Sequence, residues 1–200
     1  MEDLLVKILF LNYKGGVGKS ALAINLAADI DAEYVTNDII TTSTNAIQIQ
    51  ANKRRIPKEI LNLDRVVFDF GAMSTNLDAK AVQAIEAADI IAIPTDTGQR
   101  SIEATIKTVE LVKPKGKQVA IIVNDFTKKK LYDETVEQLT KALGVIPIFG
   151  IRTTTLFDRV AKDGIDWYKN IHNKMGEGQL NKTRISHEKV YNAILELGLK

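Results

Sequence analysis

Short apolar runs rich in β-branched residues alternate along the chain with segments whose apolar positions recur every three or four residues. The runs have the length of buried strands, and helical patterns rather than hairpin turns follow them. Strands are expected at residues 4–11, 33–36, 65–70, 89–93, 118–123 and 145–151. The alternation predicts an α/β fold with a doubly wound, mostly parallel sheet and helices on both of its faces.

The helical patterns cover residues 21–28, 76–88, 101–112, 131–143, 153–163 and 186–197, and a further helix is allowed at 44–52. Pro94 is expected to stop the strand that begins at residue 89. The polar stretch 164–183 predicts no regular element, although Trp167 and Tyr168 are expected to pack against the body. With neither an internal repeat nor a low-complexity linker, residues 1–200 are predicted to form a single domain.

Residues 12–20, between the first strand and the first helix, read Asn-Tyr-Lys-Gly-Gly-Val-Gly-Lys-Ser. Strand, glycine-rich turn, lysine, hydroxyl and helix in this order are typical of a phosphate-binding loop. The glycines let backbone N–H groups crowd around a polyphosphate, and the helix N-terminus adds its positive partial charge. Lys19 is expected to reach the β- and γ-phosphates of ATP, and Ser20 to take one Mg²⁺ position. A glycine turn formed by chance is the alternative.

The loop departs from the usual pattern in two places. Tyr13 replaces the first glycine, and a second lysine, Lys14, precedes the glycine pair. The resulting Lys-Gly-Gly-x-Gly-Lys-Ser form resembles the deviant Walker A motif of the ParA/MinD class of ATPases. This resemblance implies that Lys14 crosses the interface of an ATP-bound homodimer and touches the partner's nucleotide. The nucleotide-binding residues that it implies are Lys14, Gly15, Gly16, Val17, Gly18, Lys19, Ser20 and Ala21.

Asp69 is a candidate metal-binding carboxylate. It follows three apolar residues in the strand at 65–70, which is the Walker B arrangement, and it would hold Mg²⁺ through a water or as a neighbour of the metal's own ligands. A strand-end aspartate that caps a turn is the alternative. The family's glycine-containing second switch corresponds to residues 70–74, where Gly71 supplies backbone freedom.

Asp38 is a candidate catalytic residue. Residues 36–39 read Thr-Asn-Asp-Ile where the ParA family has an Asp-x-Asp-Pro-type first switch. The resemblance implies that Asp38 orients the attacking water, while Thr36 replaces the first aspartate. A turn-forming Asn-Asp pair is the simpler interpretation. Further along, Asn124 and Asp125 follow a strand and could reach the base, although a loop-capping role is favoured.

The composition narrows the class of protein. Hydrophobic residues make up 45% and charged residues 26% of the 200 positions, as in a soluble globular protein. There is no cysteine, which excludes disulfides and thiolate metal sites and argues against the iron–sulfur relatives of this ATPase class. No run is long enough to span a membrane, and the acidic start does not resemble a signal peptide. A cytoplasmic location is expected.

Charge is distributed unevenly along the chain. Residues 1–100 hold 10 basic and 13 acidic side chains, whereas residues 101–200 hold 17 and 12. The basic half could face an acidic partner or be ordinary solvated surface. Candidate contacts to DNA are Lys128, Lys129, Lys130, Lys182, Arg184 and Lys189.

The short length and Tyr13 are similar to the small plasmid-type ParA proteins of the ParF group. This resemblance implies an ATP-dependent DNA-partition ATPase, associated with the nucleoid, that binds DNA without sequence preference. A centromere-binding ParB- or ParG-like protein would stimulate its hydrolysis, and no membrane contact is expected. The alternative is a MinD-like positioning ATPase, which needs a basic amphipathic C-terminal helix. A relative of dethiobiotin synthetase is a third hypothesis, which the extra lysine disfavours.

Overall fold

The structure is a computed structural model that describes residues 5–38, 46–50, 52–71, 78–174, 176 and 178–198. In this part of the chain, seven strands form one parallel sheet with the order β3-β2-β4-β1-β5-β6-β7. The strands are β1 (Val6–Phe10), β2 (Glu33–Thr36), β3 (Ile47–Gln48), β4 (Arg65–Asp69), β5 (Ile90–Thr95), β6 (Gln118–Phe126) and β7 (Ile148–Arg152). The predicted doubly wound α/β fold is therefore confirmed.

The helices connect these strands and cover both faces of the sheet. They are α1 (Lys19–Asp29), α2 (Lys58–Leu61), α3 (Ala79–Ala87), α4 (Gln99–Val112), α5 (Lys129–Leu143), α6 (Leu156–Lys169) and α7 (Gly178–Gly198). One apolar core lies between the sheet and α1, α6 and α7, and a second lies between the sheet and α3, α4 and α5. The most central strand, β1, is buried at all but one of its positions because it faces both cores.

The prediction that Pro94 ends a strand is wrong. β5 continues through Pro94 to Thr95, and Pro94 pairs with Ile122 of β6. The carbonyl of Ala92 accepts a bond from Leu11 on the β1 side, so two residues later the nitrogen of Pro94 faces that side as well. Because β1 has already turned into the loop there, no partner strand needs the N–H that proline lacks.

The C-terminal quarter of the chain is more helical than predicted. α6 continues past the predicted end at residue 163 to Lys169, and α7 begins at Gly178 rather than at residue 186. The expected packing of the two aromatic residues is confirmed, since Tyr168 is fully buried and Trp167 is partly buried. The helix allowed at 44–52 is wrong for residues 47–48, which form β3, whereas residues 39–45 and 51 lie outside the described residues.

Candidate functional site

The glycine-rich loop joins β1 to α1, and α1 begins at Lys19. Gly16 and Gly18 have φ angles of 78° and 87°, a conformation that favours glycine. At Gly18 an added Cβ would also overlap the side-chain amide of Asn124, whose Nδ2 donates to the Val17 carbonyl at 3.3 Å. Both the backbone angle and the close approach of Asn124 therefore require glycine at this position.

The start of the loop is anchored to α4. Asn12 Nδ2 donates to the Pro94 carbonyl at 2.7 Å and to Thr105 Oγ1 at 3.0 Å, while Asn12 Oδ1 accepts from the Lys14 N–H at 2.8 Å. The Tyr13 N–H donates to Thr108 Oγ1 at 3.2 Å. These buried polar contacts were not predicted. The feature of the sequence that could have indicated them is the pair Thr105 and Thr108, which lie three residues apart on the otherwise apolar face of α4.

The two lysines of the loop lie in different environments. Lys19 is buried, with 7% of its surface exposed, and its Nζ donates to the Lys14 carbonyl at 3.1 Å. Burial lowers the pKa of Lys19, while the nearby carboxylates of Asp69 and Asp38 act in the opposite direction. Lys14 is partly exposed, and its Nζ donates to the Gly15 carbonyl at 3.1 Å. Lys19 is thus held inside the loop, whereas Lys14 lies at its outer side.

Asp69 ends β4 and is completely buried. Its Oδ2 accepts a 2.6 Å hydrogen bond from the hydroxyl of Tyr34 on β2, and the hydroxyl of Ser20 lies beside the carboxylate. Burial raises the pKa of Asp69, an effect that Tyr34 and Ser20 partly offset. Burial likewise raises the pKa of Tyr34, so its hydroxyl stays protonated and acts as the donor. Asp69 and Ser20 were predicted as site residues from the sequence, whereas Tyr34 was not.

Asp38 lies just after β2, beside Gly71, two residues after the end of β4. Its N–H donates to Thr36 Oγ1 at 3.1 Å, and its carbonyl accepts from Gln48 Nε2 at 2.7 Å. The neighbouring Asn37 accepts from the Gly71 N–H at 2.9 Å. The two predicted switch segments therefore contact each other at their described ends, although residues 39–45 and 72–77 lie outside the described part.

A cleft of about 680 Å³ opens beside the loop, a volume within the range of small-molecule sites. The loop forms one wall, and the ends of β6 and β7 form another with Asn124, Asp125 and Thr153. The first turns of α7 add Gln179 and Leu180. Asn124 and Asp125 thus line the cleft, and Asn124 also makes the loop-capping contact that sequence analysis favoured.

The residues at the inner end of the loop fit a magnesium ion. Asp69 Oδ1 is buried and has no partner at normal hydrogen-bond geometry within the described part of the chain, although a buried carboxylate oxygen normally has a partner. The Ser20 hydroxyl lies beside the Asp69 carboxylate. The described residues contain no cluster of three or more His, Cys, Asp or Glu side chains. Magnesium is commonly held by one or two protein groups together with phosphates and waters, which this arrangement matches.

Comparison with known proteins gives no match at the level of families or sequences. A scan against protein-family models found none, and neither did a search of curated proteins. Among the described residues, no helix is long and apolar enough to cross a membrane.

Solved structures are similar over almost the whole chain. An aspartate-to-alanine variant of McdA from Cyanothece in complex with ATP gives a TM-score of 0.64 at 14% identity, over 96% of this chain and 97% of that chain. A ParA family ATPase from Chlorobium tepidum gives 0.62 at 17% identity, over 94% and 98%. MinD from Pyrococcus horikoshii with Mg-ADP gives 0.61 at 14% identity, over 92% and 95%.

At these identities the similarity is one of fold. The loop between β1 and α1 and the carboxylate at the end of β4 are the features that the sequence motif predicted. The structural neighbours are ATPases of the ParA/MinD family, and this chain has the P-loop fold of the MinD/ParA type.

Proposed function

We propose that the chain binds Mg-ATP in the cleft beside the glycine-rich loop and hydrolyses it. The observation that carries the proposal is the convergence of three charged side chains at the start of α1. The buried ammonium of Lys19 is electrostatically coupled to the carboxylates of Asp69 and Asp38. The nucleotides bound to the McdA variant and to MinD support the same ligand here.

Each residue has a distinct role in this proposal. The backbone N–H groups of residues 15–21 and the Lys19 ammonium hold the phosphates. Ser20 and Asp69 hold Mg²⁺, which neutralises charge on the phosphates when it is bound. Asp38 orients the water that attacks. Hydrolysis by the protein alone is expected to be slow, because an added arginine finger typically contributes about 10³–10⁵ in rate and none is recognised in the sequence.

The proposed active form is a homodimer with ATP between the protomers. Lys14 supports this because its ammonium is partly exposed and, within the described part of the chain, donates to the adjacent Gly15 carbonyl. Moving it to a phosphate of the partner's nucleotide would replace a bond to a neutral carbonyl by a bond to a negatively charged oxygen. A dimer that forms only with ATP would then couple binding and hydrolysis to assembly.

The proposed cellular role is DNA partition. The ATP dimer binds nucleoid DNA without sequence preference, and a centromere-binding ParB- or ParG-like protein stimulates its hydrolysis. Support comes from the basic excess in residues 101–200 and from the ParA family ATPase among the structural neighbours. Duplication of a weak basic patch in a dimer strengthens its binding to one duplex.

The MinD-like membrane hypothesis receives less support. It requires an amphipathic C-terminal helix whose apolar side is free to enter a lipid surface. In α7 the side chains of Tyr191, Ile194 and Leu195 are buried in the core, so this helix presents them to the sheet rather than to a membrane. A MinD-like role would require either that α7 detach from the rest of the domain or that another segment act as the membrane anchor.

One set of measurements tests the proposal. The wild type should hydrolyse ATP slowly and should bind random-sequence duplex DNA with a slowly hydrolysed ATP analogue but not with ADP. Lys19→Ala should lose nucleotide binding, whereas Asp38→Ala should keep binding and lose turnover. ATP-dependent binding to anionic vesicles but not to DNA would support the MinD-like alternative. Absence of ATP binding by the wild type would refute the ATPase proposal itself.

A further inference from the structure

The hydrogen bond between Tyr34 and Asp69 joins two neighbouring strands at the inner end of the site. β2 and β4 are parallel, with Tyr34 opposite Val67 and Thr36 opposite Asp69. Tyr34 therefore lies two residues behind Asp69, a distance of about 6.6 Å along a strand. Its long side chain spans this step and places the hydroxyl 2.6 Å from Asp69 Oδ2.

The contact leaves the two carboxylate oxygens of Asp69 in different situations. Oδ2 accepts the bond from Tyr34, whereas Oδ1 is buried and has no partner at normal hydrogen-bond geometry among the described residues, although the Ser20 hydroxyl lies beside the carboxylate. The terminal torsion of an aspartate is broad, so without a fixed partner the plane of the carboxylate could vary. The bond from Tyr34 occupies one oxygen and restricts the plane in which the carboxylate lies.

We propose that Tyr34 is a positioning residue that fixes the Asp69 carboxylate for magnesium binding. This inference rests on the proposed Mg-ATP function. Partners that orient metal-binding groups typically contribute about 10- to 100-fold to metal affinity. The sequence departs from the ParA pattern nearby, since Thr36 replaces an aspartate. The Thr36 hydroxyl lies beside the Tyr34 phenol, and Thr36 pairs with Asp69 in the register of β2 and β4.

A structural role for Tyr34 in packing is the competing explanation, and the chain contains a matched pair that isolates it. Tyr168 Oη donates to Asp29 Oδ2 at 2.9 Å in the core between α1 and α6, where Asp29 is the last residue of α1. Tyr168 and Tyr34 are both buried and both donate to an aspartate. Only Tyr34 does so at the candidate metal site, which makes Tyr168→Phe the control for Tyr34→Phe.

The test is a magnesium titration of the binding of a fluorescent, slowly hydrolysed ATP analogue to the full chain. Tyr34→Phe should raise the half-saturating Mg²⁺ concentration about tenfold or more, while affinity for the analogue in EDTA stays within about twofold of the wild type. Tyr168→Phe should leave both quantities unchanged. Binding of Mn²⁺ with the nucleotide, followed by electron paramagnetic resonance, should weaken in Tyr34→Phe to the same extent.

A double-mutant cycle with Asp69→Asn keeps the test decisive if Tyr34→Phe also lowers the melting temperature. The effect of Tyr34→Phe on half-saturating Mg²⁺ should disappear in the Asp69→Asn background, because there is no longer a carboxylate to orient. Equal Mg²⁺ dependence of Tyr34→Phe and wild type, or an equal effect in both backgrounds, would overturn the inference and leave the ATPase proposal standing. Failure of the wild type to bind the analogue would overturn both.

Discussion

A side-chain oxygen of Asp38 lies against the Cα of Gly71. A Cβ built on Gly71 would approach Asp38 Oδ1 to 2.8 Å, which is closer than real Cβ contacts come. The same stretch of backbone is fixed by the bond from the Gly71 N–H to Asn37 Oδ1. The segments that follow β2 and β4 thus contact each other without room for a side chain, and the position of Asp38 depends on glycine at 71.

The first prediction concerns Gly71→Ala. The added methyl group should displace the Asp38 carboxylate while the phosphate loop stays unchanged. We expect turnover of ATP to fall by about 10- to 100-fold, the scale of a misplacement of about 1 Å, with nucleotide affinity retained. Steady-state hydrolysis and equilibrium binding of a fluorescent nucleotide measure the two quantities separately.

Gly178→Ala is the control for this substitution. Gly178 begins α7, and a Cβ there would meet no atom within 4 Å. Turnover by Gly178→Ala should match the wild type. If Gly71→Ala also hydrolysed ATP at the wild-type rate, the contact between these segments would not determine the position of Asp38 during hydrolysis.

The second prediction separates two reasons for glycine at position 18. Gly18→Ala should abolish nucleotide binding because it strains a backbone at φ 87° and overlaps the Asn124 amide. Asn124→Ala removes the overlap and the bond to the Val17 carbonyl, at a cost of about 1 kcal/mol in stability. The double variant should therefore bind nucleotide more tightly than Gly18→Ala but more weakly than Asn124→Ala. Isothermal titration calorimetry of the three proteins measures this order.

An equal loss in Gly18→Ala and in the double variant would show that the backbone angle alone requires glycine. Full recovery in the double variant would instead assign the whole requirement to Asn124. The expected intermediate result reflects a residual strain of about 1–2 kcal/mol for a side chain in the left-handed region.

Much of the fold was predictable because its signals are local. The apolar runs of β4, β5 and β6 are largely continuous and that of β1 is interrupted only by Lys7, as expected for strands buried on both faces. The loop motif identified the turn before α1. The end of β5 was not predictable, since it depends on β1 turning away from Pro94. The extent of α7 was missed because its buried layer includes polar residues such as Arg184, which hide the helical stripe.

The residues of the candidate site likewise divide into those with a local signal in the sequence and those without one. Lys19, Ser20 and Asp69 could be proposed from the sequence because each belongs to a motif with fixed spacing. Tyr34 could not, because its contact with Asp69 arises from the register of two strands and a tyrosine in a strand is ordinarily a packing residue. The contact between Asp38 and Gly71 likewise joins positions 33 residues apart and depends on how two strand ends meet.

The third prediction concerns Lys14. Lys14→Ala should bind ADP as a monomer with an affinity close to that of the wild type, but it should fail to dimerise with a slowly hydrolysed ATP analogue. Multi-angle light scattering after size exclusion gives the mass in each state. The control is Lys141→Ala, which removes an exposed lysine from the last turn of α5. Normal dimerisation of Lys14→Ala would make this lysine a local phosphate ligand and would weaken the proposal of a shared nucleotide site.

The fourth prediction concerns the effect of pH on stability through two buried groups of the core beneath α7. Burial lowers the pKa of His187 to about 4, so the native protein binds fewer protons than the unfolded chain between about pH 4 and 6.5. This contribution to stability is lost as the pH falls. Burial raises the pKa of Asp29 to about 6, so its contribution is lost as the pH rises through that value. The two effects oppose each other in the wild type.

Replacing His187 should therefore leave the effect of Asp29 on the pH dependence of stability unopposed. When the pH falls from 7 to 4.5, the free energy of unfolding of His187→Leu should rise by about 2.5 kcal/mol relative to that of the wild type. Urea denaturation at the two pH values measures this difference, and Asp29→Asn should show a change of opposite sign. A pH-independent difference between His187→Leu and wild type would contradict the assignment of a buried, neutral imidazole.

The fifth prediction concerns the DNA-binding face, for which the structure changes the list of candidates. Arg184 was expected to contact DNA, but its guanidinium lies 5.5 Å from the centre of the Tyr168 ring and 3.5 Å from Asp29. This side chain is mostly buried and holds α7 against α1 and α6. Reversing its charge would destabilise the fold and would not report on DNA, so Arg184 is removed from the proposed face.

Two groups of exposed lysines remain, one in the loop and first turn of α5 (128–130) and one on α7 (Lys182 and Lys189). Lys129 and Lys130 form ion pairs with Asp133 and Glu134, at 2.7 and 3.7 Å, which phosphates would have to displace. We therefore expect Lys182→Glu/Lys189→Glu to weaken ATP-dependent binding to random-sequence DNA more than Lys129→Glu/Lys130→Glu. Each lost phosphate contact should make the slope of log affinity against log salt shallower by about 0.9, and two copies per dimer double the change. Fluorescence anisotropy over a salt series measures both quantities, and unchanged affinity and slope in the two variants would locate the DNA face elsewhere on the dimer.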